Sequence, residues 1–173
     1  MGRKLGGIPS EVRAKVKETP QYLRATSFAS MDTPGPFEKR ATEAYYYVTP
    51  TEEDWPEKEK EEWLTAFNYY TSDVTSIHEV YPGHYVQFLH LNASPASKVE
   101  KMFGSYAFIE GWAHYWEKMM IDEGFGGPSN STPNEDDAKR AAKYRMAQAD
   151  EALLRLCRLC VAIKVHTENM SID

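Results

Sequence analysis

The residues with the clearest chemical potential lie in the segment Ser-Ile-His-Glu-Val-Tyr-Pro-Gly-His, residues 76–84. His78 and Glu79 are adjacent, His84 follows His78 by six positions, and Glu110 lies 26 positions beyond His84. Two imidazoles and a carboxylate are a ligand set of catalytic zinc, and a neighbouring glutamate can serve as the base that activates water. These residue types therefore indicate a zinc hydrolase site.

The spacing of the two histidines differs from that of a regular zinc-binding helix. Histidines at i and i+4 lie about 40° apart around an α-helix, whereas a separation of six places them about 240° apart. Pro82 lacks the N–H that would bond to the carbonyl of His78, and its ring clashes with that carbonyl. Gly83 tolerates the dihedral angles that a break requires. We therefore predict a helix from about Ser72 to Leu91 that is kinked at Pro82, so that both imidazoles meet.

A second polar cluster follows in the segment Glu-Gly-Trp-Ala-His-Tyr-Trp-Glu, residues 110–117. Glu110, His114 and Glu117 are spaced i, i+4 and i+7, so they share one face of a helix. Glu110 can supply the third metal ligand, and its apolar neighbours predict that its carboxylate is partly buried. Glu117 or His114 can orient a ligating imidazole. Taken alone, Glu117 is expected to face water, as most helical glutamates do.

Other chemistries fit the sequence less well. A di-iron carboxylate bundle needs two Glu-x-x-His pairs, but Pro82 and Ala113 stand three positions after Glu79 and Glu110. The sequence contains neither the Gly-x-Ser-x-Gly of a serine hydrolase nor a phosphate-binding glycine loop. One alternative of a different class stays open: a non-catalytic helical domain, or an inactive fragment, with a structural or empty metal site.

The bulk properties are those of an ordinary globular protein of 173 residues, enough for one domain. A net charge of −6 argues against nucleic acid and against anionic membrane surfaces as partners. No stretch approaches the roughly 20 apolar residues of a membrane span, and no signal-peptide core follows Met1. The compartment stays open between cytoplasmic and exported, since the natural N-terminus is expected to lie outside this sequence.

Cys157 and Cys160 fall in an apolar helical run and are predicted to be buried thiols.

The remaining pattern predicts a mainly α protein with at most a short β element near residues 44–49. Ser10 can cap a short helix that ends at about Lys17. The run Ala-Tyr-Tyr-Tyr-Val-Thr, residues 44–49, is aromatic and β-branched and is followed by proline, which is typical of a strand. Helices are predicted over residues 56–70, 72–91, 97–122 and 136–166.

The two polar segments resemble the motifs of a bacterial protein family. Residues 78–87 resemble the HExxPGHxxQ signature of the domain-of-unknown-function 885 family, and residues 110–117 match its EGWAxYxE. Residues 19–27, 34–37, 46–50 and 158–166 also resemble segments of that family, so the likeness covers most of the chain. The resemblance implies a zincin-like fold, related to the helical gluzincin peptidases, and a metallopeptidase activity on peptide substrates.

The resemblance also implies roles for individual residues. It assigns one zinc ion per chain to His78, His84 and Glu110, with Glu79 as the general base. The oxyanion formed during hydrolysis would be stabilised by His166 or by Tyr115.

Some features of this sequence depart from the family pattern. Ala162 and Lys164 stand where the family usually has Asp and Gly before the histidine equivalent to His166, and His114 stands at a commonly apolar position. Family members are much longer at both ends, so residues 1–173 are expected to form a single catalytic segment of a longer chain. Such a segment should bind zinc, cleave peptides poorly, and expose an apolar surface through which it self-associates.

Overall fold

The computed structural model of the chain describes residues 7–128 and 134–171. It is mainly helical, with 56% helix, which confirms the predicted mainly α class. The prediction of at most a short β element near residues 44–49 was too low, because the described residues form a sheet of three strands. The strands are β1 (Lys15–Glu18), β2 (Ala29–Asp32) and β3 (Tyr45–Val48). The α-helices are α1 (Glu57–Ala66), α2 (Tyr69–Glu79), α3 (His84–Ala93), α4 (Lys98–Met102), α5 (Tyr106–Asp122) and α6 (Glu135–Thr167). Two compact units divide the chain, Met1–Met120 and Ile121–Asp173.

The sheet has the strand order β1-β3-β2 and belongs to the first unit. The central strand β3 is the predicted Tyr-Tyr-Tyr-Val segment; β1 runs parallel to it and β2 antiparallel. Aromatic and β-branched side chains favour such a strand because they fit a half-buried pleated surface. Tyr46 of β3 packs in the core with Ala44, Val80 and Tyr85, which lies in α3. The sheet therefore supports the segment that contains the histidines.

The predicted helix from Ser10 to Lys17 is wrong, because residues 15–18 form β1. Ser10 does accept a hydrogen bond from the backbone N–H of Val12, at 3.1 Å, but no helix follows it. Lys15 instead donates its backbone N–H to the carbonyl of Ala44 at 2.8 Å. Pairing with a strand about 30 residues away overrides a weak local helix preference.

Two of the predicted helices are each divided into a pair. The predicted helix 72–91 is α2 and α3, separated by residues 80–83, and the predicted helix 97–122 is α4 and α5, separated by residues 103–105. The start of α2 is fixed by Asn68, whose side chain accepts from the N–H groups of Tyr70 and Thr71. This cap also explains why the predicted helix 56–70 ends early, at Ala66.

The break between α2 and α3 depends on close approach of the backbone at Gly83. Its N–H donates to the carbonyl of Ile77 at 3.0 Å. A Cβ atom at this position would lie only 1.7 Å from the carbonyl oxygen of His78. On the other side, the indole N–H of Trp112 donates to the carbonyl of Pro82 at 3.0 Å. Only glycine fits here, and α5 holds the break in place.

We expect Gly83→Ala to destabilise the protein by more than about 2 kcal/mol, because the new methyl group collides with rigid backbone. Relief of this collision would shift the backbone at residue 83, and the shift should move the adjacent His84 and weaken the predicted zinc binding. Gly35→Ala is the matched control, since a Cβ there meets no atom within 4 Å. Thermal denaturation and zinc titration measure both effects. Equal stability and zinc affinity for Gly83→Ala and Gly35→Ala would contradict this explanation of the break.

The second unit contains α6, which begins at a capping box formed by Asn134 and Asp137. Cys157 and Cys160, predicted to be buried, are both exposed. The reason is that most of the C-terminal half of α6 is exposed, including several large apolar side chains: Leu153, Leu154, Leu156, Leu159, Val161 and Ile163. Among the described residues, no helix is both long and apolar enough to cross a membrane.

Candidate metal centre

The structure brings together the three predicted metal ligands, which come from three helices. His78 lies in the last turn of α2, His84 is the first residue of α3, and Glu110 lies in the second turn of α5. His78 Nε2 is 3.4 Å from Glu110 Oε2, and His84 Nε2 is 3.6 Å from Glu110 Oε1. The two imidazole rings are 4.6 Å apart at an angle of 88°. The break at residues 80–83 thus returns His84 to the side of His78.

These separations suit a tetrahedral ion. Zinc bound at about 2.0–2.1 Å by each ligand separates neighbouring ligand atoms by about 3.3–3.4 Å. The observed 3.4 and 3.6 Å, which end on different oxygens of Glu110, are each close to this spacing. The side chains of His78 and His84 are 7% and 9% exposed, whereas that of Glu110 is 55% exposed. The donor set therefore consists of residue types that bind zinc, and it is open to solvent at Glu110.

Glu79 is the second carboxylate at this centre. Ligand atoms of His78, Glu79 and His84 all lie within 4.8 Å of one another. Glu79 is half-buried and lines the same cavity as His84 and Glu110. Both Glu79 and Glu110 therefore lie close enough to the two imidazoles to share an ion with them.

Glu117 holds His78 from the opposite side. Its Oε1 is 2.6 Å from His78 Nδ1, and its Oε2 is 3.3 Å from His114 Nδ1. When Nδ1 of His78 donates its proton to Glu117, Nε2 presents a lone pair toward Glu110 and a shared ion. Glu117 therefore fixes the orientation of the His78 imidazole, whose Nε2 lies 3.4 Å from Glu110.

The burial of the two glutamates on α5 is the reverse of the prediction. Glu117 was expected to face water when considered alone, but it is fully buried at 0% exposure. Glu110 was expected to be partly buried, but it is exposed. Helix α5 is apolar on nearly all sides, so its pattern did not reveal the inner face. That face is marked by Ala113, also 0% exposed and four positions before Glu117.

Two opposing influences act on the pKa of His78 in the metal-free protein. Burial disfavours the charged imidazole, but hydrogen bonds to Glu110 and Glu117 outweigh this effect and raise the pKa to about 9. A buried carboxylate such as Glu117 requires a nearby cation. A proton on His78 meets this requirement in the absence of metal, and a metal ion meets it when bound.

A pH dependence of stability follows for the metal-free protein. Because the folded-state pKa of His78, about 9, lies above its ordinary value of 6.5, its stabilising effect is complete below about pH 6.5 and is lost as the pH rises through about 9. We expect the free energy of unfolding to fall by up to a few kcal/mol over this interval. Urea denaturation in the presence of a chelator measures it. His78→Gln, which lacks the imidazole, should show little of this loss; an equal loss in both proteins would contradict the assignment to His78.

Replacing the buried carboxylate tests the second contact of His78. We expect Glu117→Gln to lower the zinc affinity by roughly 10- to 100-fold, since the amide no longer stabilises the ligating imidazole by charge. Competition with a chromophoric chelator measures the affinity. The exposed Glu62 of α1 provides the control Glu62→Gln, which should bind zinc as the parent protein does. Unchanged affinity in Glu117→Gln would show that this contact does not support metal binding.

The other predicted site residues occupy varied positions. His114 is half-buried beside Glu117, and Tyr115 is 54% exposed on α5. His166 is exposed on α6, in the second unit. Their proposed roles stay predictions. Sequence reasoning missed Trp112, whose indole ties α5 to the break, because this hydrogen bond joins residues 30 positions apart in the sequence.

Comparisons with known proteins agree with the motifs. The family described as "Bacterial protein of unknown function (DUF885)" matches residues 2–173. A solved structure from Shewanella oneidensis, described as "a putative lipoprotein of unknown function", shares 32% identity with a TM-score of 0.69. The alignment covers 91% of this chain and 25% of that one, so this chain spans about a quarter of its length. No curated protein matches the sequence. The chain belongs to the DUF885 family, as its HExxPGHxxQ and EGWAxYxE motifs predict.

Proposed function

We propose that this chain is the zincin-like catalytic segment of a zinc-dependent hydrolase that cleaves peptide bonds. The observation that carries the proposal is that the buried imidazoles of His78 and His84 meet the exposed carboxylate of Glu110. A second carboxylate, that of Glu79, lies beside them at the edge of a cavity. A purely structural zinc site is normally closed by four protein ligands. Here the opening at Glu110 leaves room for water and substrate.

The protein residues have distinct tasks in this proposal. His78 and His84, through Nε2, and Glu110, through its carboxylate, hold one zinc ion. When bound, zinc polarises the scissile carbonyl and lowers the pKa of a water molecule to about 7. Glu117 holds the imidazole of His78 in the orientation and tautomer that metal binding needs.

Glu79 is the proposed general base. It is the last residue of α2, and the break that follows leaves its side chain at the cavity that His84 and Glu110 also line. From there its carboxylate takes a proton from the attacking water and delivers it to the leaving amine. A positioned general acid–base of this kind contributes roughly 10²–10⁴-fold to the rate.

Further parts of the proposal concern residues outside the metal centre and the extent of the chain. Tyr115 would donate a hydrogen bond to the oxyanion, and the role of His166, which belongs to the second unit, stays a prediction. We also infer that these 173 residues turn over peptides slowly, because the site is open to water on one side and catalysis by preorganised charges depends on a dry site. Self-association through the exposed apolar side chains of α6 stays a prediction.

The test is hydrolysis of a library of internally quenched peptides by protein purified without a histidine tag. We expect cleavage that disappears after chelation, returns with one equivalent of zinc, and is absent in Glu79→Gln. Stoichiometric zinc binding without any cleavage above the Glu79→Gln background would instead favour a structural metal site. Cleavage that is indifferent to both chelation and Glu79 would point to a contaminant and contradict the proposal.

A further inference from the structure

We propose that the cavity beside the metal centre binds a large apolar side chain of the substrate, adjacent to the scissile bond. This inference rests on the proposed hydrolase function and specifies its substrates. The cavity has a volume of about 680 Å³ and is lined at one end by Glu79, His84 and Glu110. Its size lies within the roughly 300–1,000 Å³ that is usual for small-ligand sites.

The lining beyond the metal centre is mostly apolar. It comes from edge strand β2, from α3, and from α4, α5 and the segment that joins them, and includes Met31, Phe88, Leu91, Met102, Phe103 and Ile109. Because Glu79, His84 and Glu110 line the same cavity, a peptide held at the metal centre has its neighbouring side chains within reach of these apolar groups. Transfer of an apolar side chain from water to such a lining is favourable.

Several of the apolar residues that line this cavity are exposed. Met102, Phe103 and Tyr106 are 63%, 76% and 80% exposed, although each is a large side chain that lines the cavity. Clusters of exposed apolar side chains next to a polar centre are typical of ligand-binding grooves. Their continuity with the metal centre favours a substrate side chain as the occupant.

The charges in the lining argue against an acidic occupant. Glu79 and Glu110 stand at one end and would repel a carboxylate. Among the described residues of the lining, Lys101 is the only lysine or arginine, and its ammonium donates to the backbone carbonyl of Asn92, near the end of α3, at 2.8 Å. The two carboxylates outnumber the single lysine in the lining, which favours an uncharged side chain over an acidic one.

Quenched peptides that vary one position at a time on either side of the scissile bond test the inference. We expect Leu or Phe at one flanking position to exceed Gly, Asp and Lys in kcat/KM by about tenfold or more. Leu91→Trp, which fills the cavity from α3, should lower the ratio of kcat/KM for Leu or Phe peptides to that for Gly peptides by about tenfold. Leu64→Trp, on an exposed site of α1 outside the cavity, should keep it. Phe103→Ala should also weaken the preference. Because Phe103 is exposed, this second variant tests the cavity even if Leu91→Trp does not fold.

The outcomes separate this inference from the proposed function. Cleavage without preference at either flanking position, or with a preference for Asp, would overturn the apolar cavity while leaving hydrolysis intact. Should no peptide be cleaved, fluorescence anisotropy of labelled pentapeptides with zinc-loaded Glu79→Gln still decides the matter. Tighter binding of Leu and Phe peptides, lost in the double variant with Leu91→Trp, would support the cavity even then. Equal binding of all peptides would reject it.

Discussion

Replacing Glu79 by glutamine should lower kcat for peptide hydrolysis by about 100-fold or more while zinc content and thermal stability stay close to those of the parent protein. The amide is nearly the same size as the carboxylate, so the end of α2 should keep its structure. It cannot accept the proton of the attacking water, however, and so the chemical step loses its base. Steady-state kinetics on a cleaved peptide, with metal analysis of the same sample, measures both parts.

Glu62→Gln provides the matched control for this change, since Glu62 is an exposed glutamate on α1. It should retain the parental kcat. A Glu79→Gln protein that keeps its zinc and hydrolyses peptides at the parental rate would remove Glu79 from the mechanism. Loss of zinc together with activity would instead make Glu79 a metal ligand.

The second large effect concerns His84, the predicted ligand that the break between α2 and α3 brings close to His78. His84→Asn should weaken zinc binding by more than about 100-fold. Removal of a residue that hydrogen-bonds to a metal ligand typically weakens metal binding by about 10- to 100-fold, and loss of the ligand itself should have a larger effect. His84 is buried, and its Nε2 faces Glu110 across 3.6 Å. Chelator competition measures the affinity, and circular dichroism shows whether the helices persist.

His90 lies on the same helix, exposed and outside the metal centre, so His90→Asn is the control for a histidine change on α3. It should bind zinc with the parental affinity. Equal zinc affinities for His84→Asn and His90→Asn would show that His84 is not a metal ligand. The proposal that the break serves to bring His84 to the metal site would then be wrong.

The local chemistry of Pro82 and Gly83 was enough to predict the central feature of the site. A proline and a glycine between the two histidines act on the backbone within a few residues, and the consequence, a break that lets the imidazoles meet, is local as well. The strand at Tyr45–Val48 was predictable for the same reason, because its residue types suit a pleated surface.

Features that depend on distant contacts could not be predicted in this way. Strand β1 forms only because β3 lies beside it, and nothing within residues 10–17 indicates that partner. The reversed burial of Glu110 and Glu117 has a similar origin. Both glutamates lie on an α5 that is apolar on nearly all sides, and only the packing of α2 against it decides which carboxylate is enclosed.

The most direct test of the account is anomalous diffraction at the zinc absorption edge from crystals of the zinc-loaded protein. We expect a strong anomalous peak about 2.0–2.2 Å from His78 Nε2, His84 Nε2 and a carboxylate oxygen of Glu110, with Glu79 close by but not bound to the ion. Fully zinc-loaded crystals with no peak among these three residues, or with the ion held elsewhere, would contradict the proposed metal centre and the hydrolase function built on it.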